Sequence, residues 1–223
     1  ISFLDKLQQR LFYSEIKKVE QLFMEKIDVL ARKSHFIDKI FIDSDFNIRI
    51  FKKAFIPSNV LCQKIILVGK EKYIEENGKI HCDSILEATN ASDIADFVDS
   101  YKDKTNLLEC LQEIDKTRLS KGEKQVFIMA LYWSIMQLCK QTVPFFIDTP
   151  FARIDTEHRE NITEKFFKEL NGQVFIFSTN EEIVGKHIEL LGSTIQARFM
   201  LENVDNKKTN LIVNKYFGEE NGI

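Results

Sequence analysis

The sequence predicts an α/β fold with a mostly parallel sheet, preceded by a long helix and a β-hairpin. An amphipathic run without Pro or Gly opens the chain, and two β-rich runs flank an Asp-Ser-Asp turn. In the carboxyl-terminal half, apolar segments alternate with helical ones, which is typical of a parallel sheet covered on both faces. The 223 residues are enough for one large domain or two small ones.

The opening helix is predicted over residues 4–31, where apolar residues recur every three to five positions between Lys, Glu and Gln. At about 1.5 Å per residue it would be roughly 40 Å long, which is ordinary for the root of a coiled coil. A surface helix that packs on its own core explains the pattern equally well, because the heptad slips between Leu11 and Ile16. We assign residues 1–33 to this helix.

A β-hairpin that joins the sheet of the main lobe is expected within residues 34–56, because Phe46, Ile48 and Ile50 alternate onto one face after the turn. Residues 57–118 carry no chemical motif and are interpreted as an insertion or helical subdomain of unknown role. A strand is expected at residues 64–68, and short helices are expected at residues 84–88, 92–98 and 107–114.

Residues 119–223 are assigned to the main lobe. Its expected helices span residues 126–138, 156–170 and 181–191. Its expected strands span residues 143–147 and 174–177, followed by a strand or hairpin around 197–201 and 210–216. In parallel sheets of this kind, ligands bind at the carboxyl ends of the strands.

Composition excludes several classes of function. The net charge of −3 excludes a generally basic nucleic-acid binder. The four Cys and four His residues form no CxxC or HExxH pattern, which argues against a disulfide framework or a zinc site. No apolar run approaches the roughly 20 residues of a membrane span, and no leader is recognisable. We therefore expect a cytoplasmic protein without a membrane partner and, because it begins with Ile1, a piece of a longer chain.

A capped helix start lies at residues 119–125, Leu-Ser-Lys-Gly-Glu-Lys-Gln. Ser120 and Glu123 have the spacing of a capping box, and Gly122 leaves the backbone open to a close approach. The free amides and the positive end of such a helix favour an anion, most naturally phosphate. An ordinary capped helix accounts for the same residues.

Asp148 ends an apolar strand, as does the carboxylate that holds magnesium, usually through a bound water, in nucleoside triphosphatases. Asp155 follows seven residues later, where it would cap the next helix. The second apolar strand, 174–177, ends in Ser-Thr-Asn at residues 178–180. Taken alone, Asp148 is equally well explained as a turn residue at the end of a strand.

In this order, the segments resemble the carboxyl-terminal lobe of an ABC-type ATPase head, as found in SMC proteins and double-strand-break repair ATPases. The resemblance makes residues 119–125 the signature motif, 145–148 the Walker B strand, Asp155 the D-loop aspartate and 178–180 the switch region. In those proteins a coiled coil separates the Walker A lobe from the Walker B lobe. The sequence contains no GxxxxGK[ST] phosphate-binding loop. A split head of this kind accounts for both the missing P-loop and the opening helix.

Within that superfamily, the sequence looks most like the DndD proteins, ATPases of DNA phosphorothioate modification systems, at residues 147–150, 153–155, 157–159 and 177–179. Similar heads occur in anti-phage systems such as Lamassu. The likeness covers about residues 119–185. Thr149 takes the position of the glutamate that orients water, and Asn180 that of the switch histidine. The DndD-like family shares the threonine, so this departure favours that subfamily over the repair ATPases.

The resemblance implies ATP and Mg²⁺ as cofactors, sandwiched between two heads. The residues that would contact the nucleotide of the other head are those of the signature, Ser120, Lys121, Gly122 and Glu123. The residues that would serve the nucleotide of their own head are Asp148, which would hold Mg²⁺ through water, Thr149 and Asn180. Arg153 and Asp155 are placed at the dimer interface, although a surface salt bridge to Glu157 or Glu160 explains Arg153 equally well.

The implied partners are the amino-terminal Walker A lobe of the same parent protein, a second copy of the head, DNA and other defence or modification subunits. Residues 1–60 hold 11 Lys and Arg against 8 Asp and Glu. This small excess of positive charge is compatible with contact to DNA, and a solvated helix face would also explain it.

Hydrolysis is expected to be slow, because Thr149 cannot accept a proton from water at neutral pH. Loss of a general base typically costs about 10²- to 10⁴-fold in rate.

Two rival functions remain. In one, Thr149 and Asn180 mark a degenerate head that uses ATP only as a dimerisation clamp or scaffold. In the other, weaker one, the chain belongs to an ABC transporter subunit, which would normally carry both lobes in one domain and an Asp-Glu pair at positions 148 and 149.

Overall fold

A computed structural model of the chain describes residues 3–31, 36–139, 141–152, 154–203 and 208–215. It divides into two compact units. The first unit contains residues 1–24 and 33–120, and the second contains residues 25–32 and 121–223. Helices and small sheets occur in both, so the predicted α/β class is confirmed.

Helix α1, Phe3–Leu30, is the single long helix that the periodicity predicts. Its later turns bury apolar side chains, of which Phe23 is completely inaccessible. Its first turns differ, since Leu4, Leu7 and Leu11 are all exposed. The apolar side chains of α1 are therefore buried towards its carboxyl-terminal end and exposed to solvent at its amino-terminal end.

The hairpin is formed by β1, Lys39–Ile42, and β2, Ile48–Pro57, which pair in antiparallel register. Asp43 organises the turn, because its Oδ1 accepts hydrogen bonds from the backbone nitrogens of Asp45, at 2.9 Å, and Asn47, at 2.8 Å. The bond from the Asn47 backbone is the main reason that the pKa of Asp43 lies below its ordinary value.

A helical insertion separates β2 from its second pairing partner, β3. The insertion contains α2, Ser58–Val68, α3, Lys70–Thr89, and α4, Ile94–Tyr101, and β3 spans Leu107–Ile114. The two ends of the insertion meet, since the backbone nitrogen of Ser58 donates to the carbonyl of Asn106 at 2.8 Å. The sheet order β1-β2-β3 thus places the hairpin beside β3.

The insertion encloses its own hydrophobic core. Its buried members are Leu61, Cys62, Ile65, Tyr73, Cys82, Ile85, Ile94, Phe97, Val98, Leu108 and Cys110. Burial raises the pKa of each of the three thiols and of Tyr73. All four cysteines of the chain are free, and Cys139 is the exposed one.

Helix α3 covers the outer edge of β3 at Leu111. Nδ1 of the buried His81 donates to the Leu111 carbonyl at 2.6 Å, and Oγ of Ser84 accepts from the Leu111 nitrogen at 2.9 Å. Nε2 of His81 accepts from the hydroxyl of Tyr73 at 2.8 Å. These side chains satisfy the backbone groups of Leu111 that an edge strand otherwise presents to solvent.

Two sequence predictions in this region are wrong. The apolar run at residues 64–68 belongs to α2 and is not a strand; Ile65 is buried while Ile66 and Leu67 are exposed, as on a half-buried helix. Residues 107–114 form strand β3, not a helix, because pairing with β2 along the whole strand outweighs their helical propensity.

The longer segment of the second unit, residues 121–223, begins with α5, Lys121–Leu138. Its later helices are α6, Thr156–Ile162, which runs into a π-helical turn, Thr163–Phe167, and α7, Gly185–Leu191. Its strands are β4, Phe145–Asp148, β5, Val174–Phe177, β6, Phe199–Asn203, and β7, Thr209–Val213. The helix expected over residues 181–191 therefore begins only at Gly185, and the α-helical part of 156–170 ends at Ile162.

The expectation of a mostly parallel sheet is wrong for the residues that the structure describes. Strands β4 and β5 are parallel, whereas β1-β2, β2-β3 and β6-β7 are antiparallel, and each sheet has at most three strands. Apolar strands alternate with a helix only once, between β4 and β5, and one crossover makes one parallel pair. In the same described residues, no helix is both long and apolar enough to cross a membrane.

Candidate functional site

The parallel pair β4–β5 brings two predicted motif segments to one edge of a sheet. In its register, Asp148 lies opposite Phe177, the residue that precedes the switch segment, residues 178–180. The backbone nitrogen of Thr149 donates to the carbonyl of Phe177 at 2.8 Å, which extends the pairing by one residue. Asp148 is exposed at this edge, so its carboxylate is accessible to a ligand.

Thr149 follows directly in an unusual backbone conformation, with φ of 46°. A β-branched residue rarely adopts positive φ, and such strain costs about 1–3 kcal/mol and persists only where surrounding contacts enforce it. We call residues 149–151 the Walker B loop, after the predicted Walker B strand that they follow. The contacts that hold Thr149 in this conformation are contacts of this loop. Its strained residue, Thr149, is the one that the resemblance predicts at the position of the water-orienting glutamate.

Gln125 on α5 holds the Walker B loop from one side. Its side-chain amide nitrogen donates to the carbonyl of Pro150 at 3.0 Å, with a longer approach of 3.5 Å to the carbonyl of Thr149. Gln125 is the last residue of the predicted signature motif. Its hydrogen bond therefore connects the predicted signature, at the start of α5, to the Walker B loop.

Glu182 holds the same loop from the other side. The side chain is 5% exposed, and its Oε1 accepts from the backbone nitrogen of Phe151 at 3.0 Å. Its Oε2 lies 3.3 Å from the backbone nitrogen of Thr179, in the switch segment. One buried carboxylate therefore contacts both motif segments.

Side chains beneath the loop give it a packed base. Phe151 is fully buried, and its ring centroid lies 5.3 Å from that of His187, which is itself buried. Nδ1 of His187 accepts from the backbone nitrogen of Val184 at 3.1 Å, and burial is the main cause that lowers the pKa of His187. Arg159 Nε donates to the carbonyl of Ile154 at 2.8 Å, which fixes the backbone three residues after the Walker B loop.

The predicted signature residues lie at the start of α5, which begins at Lys121 directly after Ser120. Ser120 and Lys121 are exposed, while Gly122 and Glu123 are partly buried in the first turn. The helix starts directly after Ser120, as a cap at that residue predicts, and five residues before the start expected at Val126. The capping box and the anion site stay predictions.

The remaining predicted residues occupy the loop after the Walker B segment and the end of β5. Asp155 is exposed and directly precedes α6, as a cap would. Asn180 is exposed at the end of the switch segment. Arg153, predicted at the dimer interface, lies outside the described residues, and its alternative partner Glu160 accepts a hydrogen bond from Lys186 at 2.6 Å.

The donor set at the sheet edge suits a hard cation, because Asp148 offers an accessible carboxylate. Among the residues that the structure describes, no group of three or more His, Cys, Asp or Glu side chains is arranged to hold a metal ion. A magnesium ion bound through water needs only one carboxylate from this chain, and the magnesium site stays a prediction.

Sequence reasoning missed the structural roles of Gln125 and Glu182. Gln125 lies inside the predicted signature motif, but no local pattern indicates that its amide reaches residues 149 and 150. Glu182 has an acidic neighbour, Glu181, and nothing in the sequence distinguishes the buried one from the exposed one. Both roles arise from contacts between segments distant along the chain.

Comparison with known proteins adds no relative, since no protein-family model matches the sequence and no curated protein is significantly similar to it.

Proposed function

We propose that this chain is half of an SMC-like ATPase head that binds and slowly hydrolyses ATP at a head–head interface. The observation that carries the proposal is a set of contacts within the second unit between residues of three motif segments. Gln125, near the start of α5, contacts the Walker B loop, and Glu182 joins that loop to the switch segment. These segments were identified separately from the sequence as signature, Walker B and switch.

Each segment has a chemical task in this proposal. A bound Mg²⁺ would neutralise charge that develops on the phosphates. Asp148 would hold that ion through water. Asn180, at the position of the switch histidine, would contribute to catalysis from the adjacent switch segment. Thr149 can hydrogen-bond the attacking water but cannot accept its proton at neutral pH, so turnover would be slow. The signature residues at the start of α5 would bind the nucleotide of the opposing head through backbone amides.

Two exposed apolar surfaces are consistent with a head completed by another lobe. Phe146 on β4 is 60% exposed and Phe177 on β5 is 51% exposed, although both lie in a sheet. On α1, the exposed Leu4, Leu7 and Leu11 have the spacing of a coiled-coil seam. In the proposed protein, the Walker A lobe would extend the sheet and a second helix would cover the seam.

The proposed protein acts on DNA in the cytoplasm, within a prokaryotic modification or anti-phage defence system. This part rests on the resemblance to DndD-like heads. A second candidate is an ATP-gated dimerisation scaffold without useful turnover, and the observation that favours it is Thr149 at the position of the water-orienting glutamate.

The test uses the full-length protein that contains this chain, with ATP, Mg²⁺ and DNA. Sedimentation velocity follows dimerisation, and phosphate release follows hydrolysis. Ser120→Arg should abolish ATP-dependent dimerisation, because the larger side chain blocks the signature. Asp148→Asn should abolish hydrolysis. Ser100→Arg, an exposed serine on α4, is the matched control for added size and charge.

Three outcomes separate the candidates. Dimerisation and phosphate release that both fail in Ser120→Arg support the ATPase. Dimerisation without measurable release supports the scaffold. If wild-type dimerisation and phosphate release do not respond to ATP, or if Ser120→Arg and Ser100→Arg behave alike, the signature is an ordinary capped helix and the proposal is wrong.

A further inference from the structure

We propose that Glu182 is a positioning residue that fixes the Walker B loop relative to the switch segment. The inference rests on the proposed function, in which Thr149 and Asn180 face the same nucleotide. It goes beyond that function because Glu182 lies outside the signature and the Walker B strand and is not the D-loop aspartate.

The geometry of the carboxylate carries the inference. Its two oxygens are divided between two segments, with Oε1 on the backbone nitrogen of Phe151 and Oε2 on that of Thr179. The backbone nitrogen of Glu182 also donates to the carbonyl of Thr179 at 3.3 Å, so the switch segment is held from both directions. A side chain of low exposure with two such contacts has little freedom to move.

The loop that Glu182 holds is the one that needs support. Thr149 has positive φ, which a β-branched residue keeps only under constraint. The Walker B loop is constrained at three successive residues. The Thr149 nitrogen bonds the Phe177 carbonyl, the Pro150 carbonyl accepts from Gln125, and the Phe151 nitrogen donates to Glu182.

The chemistry of the contact requires a carboxylate. Both partners are N–H donors, and an ionised carboxylate offers two acceptor oxygens and no donor. A glutamine of the same shape offers one acceptor oxygen and an NH₂ group, which cannot accept a hydrogen bond. Glu182→Gln therefore leaves either the Phe151 nitrogen or the Thr179 nitrogen without its acceptor, and the loss is most costly at Phe151, where the contact is buried.

Glu181 supplies a matched control because it is the adjacent residue and its side chain is exposed. Glu181→Gln removes the same charge one residue away and leaves the carboxylate of Glu182 in place. A difference between the two variants therefore reports the buried contact, not the change in net charge.

The first experiment measures kcat and KM for ATP in the full-length protein, with both variants. Glu182→Gln should lower kcat on the order of 10- to 100-fold, because a misplaced catalytic segment loses rate steeply. KM should change less than about threefold, because binding groups are not removed. Glu182→Asp keeps the charge but is one methylene shorter, so it should restore only part of kcat. Glu181→Gln should retain wild-type kcat within about twofold.

A merely structural role predicts a different result, in which Glu182→Gln lowers stability but the folded protein keeps its kcat. Thermal unfolding of each variant identifies that case, and measurements are made well below the transition. Unchanged kcat in folded Glu182→Gln, or an equal loss in Glu181→Gln, overturns the proposal.

Amide hydrogen exchange provides a readout that does not depend on ATPase activity. Glu182→Ala removes both acceptor oxygens, so the Phe151 and Thr179 amides should lose protection together in that variant, whereas Glu181→Ala should leave both protected. If the wild-type protein neither dimerises nor hydrolyses ATP, the proposed function is wrong, yet the joint loss of protection would still establish the linkage. Unchanged protection of both amides would overturn the linkage itself.

Discussion

The helical insertion and the β4–β5 pair differ in how far they bury their aromatic side chains. In the insertion, α2, α3 and α4 enclose aromatic and aliphatic residues, of which Tyr73 and Phe97 are completely buried. In the β4–β5 pair, Phe146 and Phe175 stack with ring centroids 4.6 Å apart, yet Phe146 is mostly exposed. The insertion thus has a closed core of its own, while the motif-bearing sheet leaves part of its apolar surface open.

A similar openness marks the hairpin β6–β7. Its cross-strand pairs Phe199–Val213 and Leu201–Leu211 are exposed on all four side chains. Two-stranded hairpins and sheets are only marginally stable unless further strands or helices cover them. The contrast indicates that the insertion can keep its structure on local contacts, whereas the motif-bearing region gains stability when more protein packs on it.

The largest expected effect tests the closed core. Phe97→Ala removes a fully buried ring from the insertion and should lower the free energy of unfolding by about 3–5 kcal/mol. Phe55→Ala is the matched control, because that side chain is 61% exposed and its removal should cost less than about 1 kcal/mol. Chemical denaturation measures both, and equal costs would contradict the closed core.

A smaller effect is expected from the kink in α3 at Gly78. This residue has φ of 76°, and a Cβ there would lie 3.0 Å from a guanidinium nitrogen of Arg49. Gly78→Ala should therefore cost about 1–3 kcal/mol through strained backbone and displacement of Arg49. Gly185→Ala at the start of α7 meets no atom within 4 Å and should be nearly neutral. Denaturation curves of the two variants that coincide would contradict this account.

The exposed sheet face allows a test in two contexts. In this chain alone, Phe146→Ala should cost only about 0.5–1.5 kcal/mol, the value of its stacking on Phe175. In the full-length protein, we expect about 3–5 kcal/mol if a further lobe buries the ring. Denaturation of both forms gives the comparison, and an equal small cost in each would show that the sheet face stays open.

The last prediction concerns pH and has a direction only. Burial is the main cause that lowers the pKa of His81 below its ordinary value of 6.5, so the unfolded chain binds the proton more readily. The free energy of unfolding should therefore be highest above that value and fall as the pH decreases through it. His81→Gln should make stability less dependent on pH between about 7.5 and about 5.5. The same direction holds for His187 in the second unit, and a loss of stability on raising the pH through this range would contradict both.

The sequence predicted α1, the β1–β2 hairpin and both parallel strands, because each has a strong period or an apolar run bounded by turns. It failed for β3, whose Leu, Glu and Gln residues favour a helix until pairing with β2 decides otherwise. It also failed for residues 64–68, since a short apolar run fits a strand or a half-buried helix equally well. Local patterns therefore carried the prediction only where tertiary contacts did not compete with them.

The candidate site divides in the same way. Asp148 could be identified because it ends an apolar strand, and Ser120 because it precedes a helix with the spacing of a cap. Glu182 could not be identified, because its role depends on two backbone nitrogens that come from different loops. Gln125 was part of a recognised motif, but its contact with Pro150 required the folded chain.

The distribution of thiols has a practical consequence for labelling. Cys62, Cys82 and Cys110 are buried with raised pKa values, so at neutral pH they present little thiolate to an alkylating reagent. Cys139 is exposed just after the end of α5, the helix that begins with the predicted signature. A maleimide dye should therefore react with the native chain mainly at Cys139, giving a fluorescent reporter on that helix without engineering a new cysteine.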